Sequence, residues 1–205
     1  AILDQADAIR AKRHEALVQL DSLTQSIFIE MFGDPRGHIA SGTGRVLADV
    51  VAPDRIVTYG IVQAGPEHSG GIPYIKTGDI KNGLIVEGQL ARTSPEIAAA
   101  YARSALKPSD IVMSIRATVG TTALVPKSLD GANLTQGTAR ISPGAGTNAM
   151  YLLNYLRTDA AQAWIQSQVK GATFREITLG KLRQLPVLLP PIEQQQSFAA
   201  RVEAV

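Results

Sequence analysis

The stretch LDQADAIRAKRHEALVQLDSLTQSIFIEMF, residues 3–32, decides how the rest of the chain is arranged. It contains neither proline nor glycine, and its apolar side chains recur at alternating steps of four and three residues. This period predicts one long helix that packs along another helix. Gly33 and Pro35 follow at once, and a glycine with a proline behind it is typical of a helix end. The two interleaved series are Ile2, Ile9, Ala16 and Leu23, and Ala6, Arg13, Leu20 and Ile27.

The predicted helix is long enough to act as a spacer. About thirty residues at ~1.5 Å each give a rod of roughly 45 Å, and one turn of B-DNA measures ~34–36 Å. A second helix is predicted at the other end of the chain, opened by Pro191, and its apolar residues also step by four and three. The side chains predicted to pack between the two helices are Ile9, Ala16, Leu20, Leu23 and Ile27 with Phe198 and Val202.

Composition narrows the class of protein. At 205 residues the chain has room for one sizeable domain with an appendage. The absence of cysteine excludes disulfides and thiolate metal sites. No apolar run approaches the ~18 residues of a membrane span and no signal peptide opens the sequence, so we expect a soluble, cytoplasmic protein. The net charge is +2, with the positive excess in the middle of the chain, which suits a body that contacts phosphate.

The middle of the chain shows a different pattern from its two ends. Residues 33–44 are rich in glycine, aspartate and serine and predict a linker or an exposed entry loop, and from residue 147 the period becomes helical again. We therefore predict an α+β fold, in which a mixed β-rich domain with small helices at 34–190 is flanked by helices at 1–33 and 191–205 that pack as an antiparallel coiled coil. Short β-type runs separated by turns lie at 46–51, 72–76, 84–86, 110–115, 121–125, 138–141 and 186–189.

No catalytic or metal-binding motif stands out. The Pro190-Pro191 pair lacks the polar and aromatic neighbours of a methyltransferase base-binding loop, and there is no glycine-lysine-serine phosphate loop. No strand carries the acidic and lysine spacing of a nuclease. The histidines lie without ligand spacing, so a zinc site is not expected. We infer no catalytic residue, no metal and no cofactor for this chain.

The remaining polar residues predict a reader of nucleic acid. Ser114 and Arg116 are expected to project from the end of the strand at 110–115, where a guanidinium can reach a guanine edge or a phosphate. Each candidate could instead be a solvated charge or a turn hydrogen bond, and Asn133 and Thr77 especially could satisfy loop backbone. The predicted DNA-binding residues are Lys76, Thr77, Ser114, Arg116, Thr118, Asn133, Gln136, Arg140, Thr173, Arg175 and Lys181.

Five motifs in a fixed order make the chain similar to a known family. It resembles the specificity subunit of type I restriction-modification systems, with Ala117 standing where that family has a glycine. The motifs are LDQADAIRAKR (3–13) running to EMFGDP (30–35), YGIVQAG (59–65), PYIKTGDI (73–80), LKPSDIVMS (106–114) with TVG (118–120), and LPPIEQQ (189–195).

The resemblance implies a role and partners. Such subunits hold two target-recognition domains joined by two long antiparallel helices, and this chain looks like one recognition domain with parts of both helices. It would read one half of a bipartite site on double-stranded DNA. The helices would set the distance between half-sites and dock methyltransferase subunits, which bring S-adenosylmethionine, while a separate restriction subunit brings ATP-driven cleavage. Two copies pairing would rebuild a full specificity subunit.

Two other functions remain open at this point. The chain could be the recognition domain of a single-chain methyltransferase-nuclease. It could also be a helical assembly protein whose middle domain binds protein. Salt dependence separates a DNA reader from a protein binder, because only the DNA reader releases counterions in proportion to the phosphates that it contacts.

Overall fold

The structure is a computed structural model that describes residues 2–171 and 175–204, without the side chains of residues 2–4, 6, 14, 17 and 18. Its helices are α1 Ile2–Phe32, α2 Arg36–Ser41, α3 Pro95–Ala100, α4 Ala149–Arg157, α5 Asp159–Gln168, α6 Leu179–Leu182 and α7 Ile192–Glu203. Its strands are β1 Arg45–Val46, β2 Thr58–Tyr59, β3 Ile72–Ile75, β4 Ile80–Lys81, β5 Leu84–Ile85, β6 Ala91–Thr93, β7 Ile111–Ser114, β8 Thr122–Leu124, β9 Asn133–Leu134, β10 Thr138–Ile141 and β11 Pro186–Val187.

Helix α1 confirms the long helix predicted from the sequence. Gly33 ends it with a φ of +77°, and its N–H donates to the carbonyl oxygen of Ile29 across 2.9 Å. The predicted linker at 33–44 is partly wrong, because Pro35 is the N-cap of the short helix α2. Among the described residues, no helix combines the length and the apolar composition that a membrane crossing requires.

The strands confirm a mixed α+β fold. One antiparallel sheet has the order β2-β10-β7-β8, and a second sheet has the order β6-β3-β9, in which β3 runs parallel to β9. Strands β4 and β5 form a hairpin, and β1 pairs with β11. Of the predicted strand at 46–51, only Val46 lies in a strand, β1, and Leu47–Asp49 form a 3₁₀ turn. Strands β2, β4, β6 and β9 have only two or three residues each, too few for a period to predict them.

Both faces of the central sheet are covered. Ile111, Met113 and Ile115 point into the larger core, which the helices close. Val112 points to the opposite side, into a smaller core that it shares with Ile75 and Leu134. Every residue of β7 is therefore buried. This second layer was not expected from the sequence, and it decides which polar residues reach the surface.

Aromatic rings join α1 to the rest of the domain. The ring of Phe28 lies 5.5 Å from those of Tyr151 and Phe198, centroid to centroid, and all three side chains are fully buried. Tyr151 and Tyr155 donate to the carbonyl oxygens of Leu188 and Pro186. Burial raises the pKa of Tyr155 to about 12. The cluster fixes the C-terminal part of α1 on α4 and α7.

Helices α1 and α7 pack together over part of their length. Phe198 is buried against Phe28, Ile27 and Val202 are half-buried beside the same core, and Glu30 lies 3.4 Å from Arg201. Helix α7 has 12 residues and α1 has 31, so the described part of α7 cannot reach the N-terminal part of α1. Ile9, Ala16, Leu20 and Leu23 are exposed. Their packing in a coiled coil therefore stays a prediction.

The LPPIEQQ motif has a structural explanation. Gln195 in the first turns of α7 is fully buried, and its side-chain carbonyl accepts from the N–H of Asn148 across 2.8 Å. Its amide donates to the carbonyl oxygens of Gly146 and Pro190. This one side chain connects the start of α7 to the start of α4, and it fixes where the second helix leaves the domain.

Candidate nucleic-acid interface

The structure brings three sequence-distant candidates together around Gly137. A Cβ atom built on Gly137 would lie 3.1 Å from Thr77 Cγ2 and 3.9 Å from Arg116 Cβ. Gln136 precedes Gly137 and donates its N–H to the carbonyl oxygen of Ile61 across 3.0 Å. The absence of a side chain at Gly137 thus allows the ends of β3 and β7 to meet at the start of β10.

Beside this meeting point is a cavity of about 240 Å³, which we call the Arg116 pocket. Its rim combines an aromatic ring, amide and hydroxyl groups and one ion pair. Such a set of donors and acceptors can match the edge of a base. The lining residues are Tyr59, Ile115, Arg116, Gln136, Glu176, Thr178 and Leu179.

The ion pair of the pocket joins Arg116 to Glu176. Arg116 Nε lies 3.1 Å from Glu176 Oε2, and Nη2 donates to Oε1 across 3.3 Å. The two side chains are 41% and 39% exposed, so water screens the pair and its contribution to folding is small. Part of the Arg116 side chain stays accessible to a ligand.

The backbone around Arg116 has an unusual conformation. Ala117 has a φ of +57°, a region that favours glycine, and its N–H donates to the carbonyl oxygen of Arg175 across 3.1 Å. Alanine in this region carries a strain of roughly 1–2 kcal/mol. Ala117 stands where the family that this chain resembles has glycine, yet the turn is retained. The hydrogen bond from its N–H to Arg175 stabilises the left-handed conformation.

Thr77 lies in a turn that Asp79 stabilises. Asp79 Oδ2 accepts from the N–H of Lys76 across 2.8 Å, which closes the KTGD segment into a single 3₁₀ turn. Thr77 is half-buried, and Lys76 is exposed with its ammonium 6.0 Å from the ring centroid of Tyr74. The PYIKTGDI motif thus places Thr77 against Gly137, with the exposed Lys76 one residue before it.

Exposed basic side chains flank the pocket. Arg175 precedes Glu176 and donates to Gln166 Oε1 across 2.6 Å, and Lys181 lies in α6 next to the lining residues Thr178 and Leu179. Lys170 is also exposed, and its backbone is paired with that of Glu176. Thr118 is exposed in the turn after Arg116, where its carbonyl oxygen accepts from Thr121. These groups fit contacts to phosphate, which position a protein without specifying sequence.

Three predicted DNA-binding residues are buried, and their prediction was wrong. Ser114 is fully buried because the second sheet covers its face of β7. Asn133 is 1% exposed and accepts from Ser104 while donating to the carbonyl oxygen of Tyr101. Arg140 is 2% exposed and donates to the carbonyl oxygens of Arg103, Ala105 and Ile56. Burial, and next the positive charge of Arg55, lower the pKa of Arg140.

Other residues of the site were missed or cannot be placed. Thr173 lies outside the described residues. Glu176 was not predicted, because only the backbone pairing of residue 176 with residues 116 and 170 brings it to Arg116. Tyr59 was quoted as part of a motif but not as a site residue. Within residues 2–171 and 175–204, no cluster of histidine and carboxylate side chains could hold a metal ion.

Comparison with known proteins identifies related sequences. The model of the type I restriction modification DNA specificity domain matches residues 61–205. The type I restriction enzyme EcoBI specificity subunit of Escherichia coli is 30% identical over 159 residues, which are 77% of this chain and 33% of that protein. The chain therefore spans about a third of the length of this curated relative.

Solved structures share the fold at lower identity. A chain from a study of complex assembly and conformational transition in the type I R-M system has a TM-score of 0.62 at 21% identity, covering 100% of this chain and 48% of that one. The HsdS subunit from Thermoanaerobacter tengcongensis gives a TM-score of 0.60 at 21% identity, covering 100% and 47%. The S subunit of a type I restriction-modification system from M. genitalium gives a TM-score of 0.51 at 15% identity, covering 77% of this chain and 37% of that one. Against the first two, this chain is about half as long.

Proposed function

The chain belongs to the family of type I restriction-modification DNA specificity domains, and from this premise we propose that it reads one half of a bipartite target on double-stranded DNA. It acts in this proposal as one half of a specificity subunit and carries no catalysis itself. The family assignment supports DNA recognition as a class. The bipartite target is part of the proposal, because this chain is about half as long as the solved HsdS subunit.

The observation that carries the proposal is the convergence at the Arg116 pocket. Thr77, Arg116 and Gln136 each lie two residues after the end of a different strand, β3, β7 and β9, and they meet within one small area. Hydroxyl, guanidinium and amide are the groups that pair with base edges in the major groove. Lys76, Thr118, Arg175 and Lys181 are exposed at neighbouring positions and complete the proposed contact surface.

The proposal also assigns partners and domains. Residues 34–190 form the target-recognition domain, residues 1–33 form the spacer helix, and residues 191–205 begin the second helix. The helices dock methyltransferase subunits, which bring S-adenosylmethionine, and the restriction subunit with its ATP joins through them. The complex works in the cytoplasm of a bacterium or an archaeon, as expected for a restriction-modification system.

We further propose that the exposed apolar side of α1 packs against another helix. Ile9, Leu20 and Leu23 are 61%, 41% and 47% exposed, and with Ala16 they recur at helical spacing on one side of the rod. Phe28 faces the domain instead, so the rod has a second, uncovered apolar side. A further helix, from a second copy or from the other half of a specificity subunit, would cover it as an antiparallel coiled coil.

Changing Leu20 to Asp tests the role of α1. We expect Leu20→Asp to weaken self-association or methyltransferase docking, because a carboxylate in an apolar seam has no partner, while the recognition domain stays folded. Leu84→Asp is the matched control, since Leu84 is 60% exposed on the β4–β5 hairpin. Analytical ultracentrifugation and pull-down with the methyltransferase subunit measure the effect. Unchanged sedimentation and unchanged docking in Leu20→Asp would refute this use of α1.

A salt titration tests DNA reading itself. If Lys76, Lys170, Arg175 and Lys181 each contact one phosphate, the plot of log affinity against log salt should have a slope of about −3 to −4. Lys181→Ala should reduce that slope by about one, whereas Lys12→Ala, an exposed change on α1, should leave it unaltered. Fluorescence anisotropy on labelled duplexes gives both slopes. Binding that does not respond to salt would favour the protein-binding alternative.

A further inference from the structure

The Arg116–Glu176 pair is held rigidly by the main chain on both sides. The N–H of Ile177 donates to the carbonyl oxygen of Ile115 across 3.0 Å, and the N–H of Ala117 donates to the carbonyl oxygen of Arg175 across 3.1 Å. On its other side, Glu176 exchanges two backbone hydrogen bonds of 2.9 and 3.0 Å with Lys170. The backbone therefore places the carboxylate beside the guanidinium, so the pair does not depend on two flexible side chains finding each other.

The geometry of the pair leaves a recognition edge of Arg116 free. Glu176 contacts the Nε and Nη2 side of the guanidinium. A guanidinium has five N–H donors in a planar fork, so Nη1 and the second hydrogen of Nη2 remain available. Those two groups form the edge that binds O6 and N7 of guanine. Arg116 can thus hold Glu176 and a guanine at the same time, and Glu176 fixes the plane in which the fork is presented.

The charge of Glu176 is unfavourable for binding DNA as such. The backbone of Glu176 pairs with that of Lys170, and Glu176 follows Arg175 in the chain, on the surface that we propose to face phosphate. A carboxylate there repels the polyanion, so it does not contribute to general affinity. It does compete with phosphate for Arg116, and it can accept a hydrogen bond from N4 of cytosine. Both effects raise discrimination between base pairs and lower attachment to arbitrary sequence.

We infer that Glu176 is a specificity-determining residue, which orients Arg116 toward a guanine of a G·C pair and withholds it from phosphate. The inference rests on the proposed function of DNA reading. Arg116 makes the base contact, and Glu176 is the positioning residue that acts through it. The same carboxylate accepts from the amino group of the paired cytosine when that group comes within reach.

The test is a selection from a randomised duplex library with the wild-type chain, Arg116→Ala, Glu176→Gln and Glu176→Ala. The wild type should select a motif with a G·C pair that Arg116→Ala loses. In both Glu176 variants the preference for that G·C pair should fall about tenfold, and the affinity for non-selected duplexes should rise severalfold. Glu193→Gln removes one exposed carboxylate in α7 and should change neither quantity.

The outcomes separate this inference from the proposed function. A wild-type chain that selects no motif and binds without salt dependence contradicts both. A clear wild-type motif that both Glu176 variants keep at full strength overturns only the role of Glu176. Equal weakening at every position of the motif, together with a lower unfolding midpoint, would show that Glu176 is a structural residue and would also overturn it.

Discussion

Replacing Gly60 with Ala is expected to produce a chain that no longer folds stably. A Cβ atom at this position would lie 1.8 Å from the carbonyl oxygen of Leu134 and 2.4 Å from its carbonyl carbon. The approach is this close because the N–H of Ile61 donates to that same oxygen across 2.6 Å. A backbone obstacle cannot move aside as a side chain can, so the two segments would have to separate. We expect a loss of about 3 kcal/mol or more in the free energy of unfolding.

Urea unfolding followed by circular dichroism measures this effect. Gly180→Ala is the matched control, since a Cβ on Gly180 meets nothing within 4 Å and the residue lies in α6. Alanine there should raise stability by roughly 0.5–1 kcal/mol, the usual difference between the two residues in a helix. A Gly60→Ala variant as stable as the wild type would mean that β2 and β9 are not as close as the structure places them.

Arg140 in β10 and Arg116 just after β7 are expected to respond in opposite ways to substitution. Arg140→Met should lower the free energy of unfolding by about 2–4 kcal/mol, because the carbonyl oxygens of Arg103 and Ile56 lose a buried donor. At temperatures where the variant is folded, its base preference should not change. Arg116→Ala should alter stability by less than about 1 kcal/mol, since its ion pair is exposed, yet it should reduce discrimination at one base pair by ~1–3 kcal/mol.

Chemical denaturation and library selection on the same two variants distinguish a structural role from a role in base recognition. Met keeps most of the volume of Arg140 without its donors, so the measured loss reports hydrogen bonds and not a cavity. If Arg140→Met changed the selected motif without loss of stability, Arg140 would belong to the reading surface after all. If Arg116→Ala unfolded the chain, the ion pair with Glu176 would be a structural element.

Much of the local structure followed from the sequence. The period without proline or glycine predicted α1, and Gly33 predicted its end. Alternation predicted β7. Ser94 is the type of residue that favours a helix start, and its side chain caps α3 by accepting from the N–H of Ile97 across 3.3 Å. Thr158 caps α5, where its side chain accepts from the N–H of Ala161 across 3.2 Å.

The sequence by itself determined the long helix, the longer strands, their order and the family, because helix periods, turns and caps depend on residues a few positions apart. The tertiary structure decided which polar groups face solvent. Arg116 and Arg140 look equivalent in the sequence, but the segments that carry Ile56, Arg103 and Ala105 cover Arg140, while Arg116 lies beside the pocket. Glu176 contacts Arg116 although 60 positions of the chain separate them. In α1, Phe28 is buried against the domain and Leu20 is exposed. Burial is set by whatever other segment packs against a residue, and no local pattern encodes that segment.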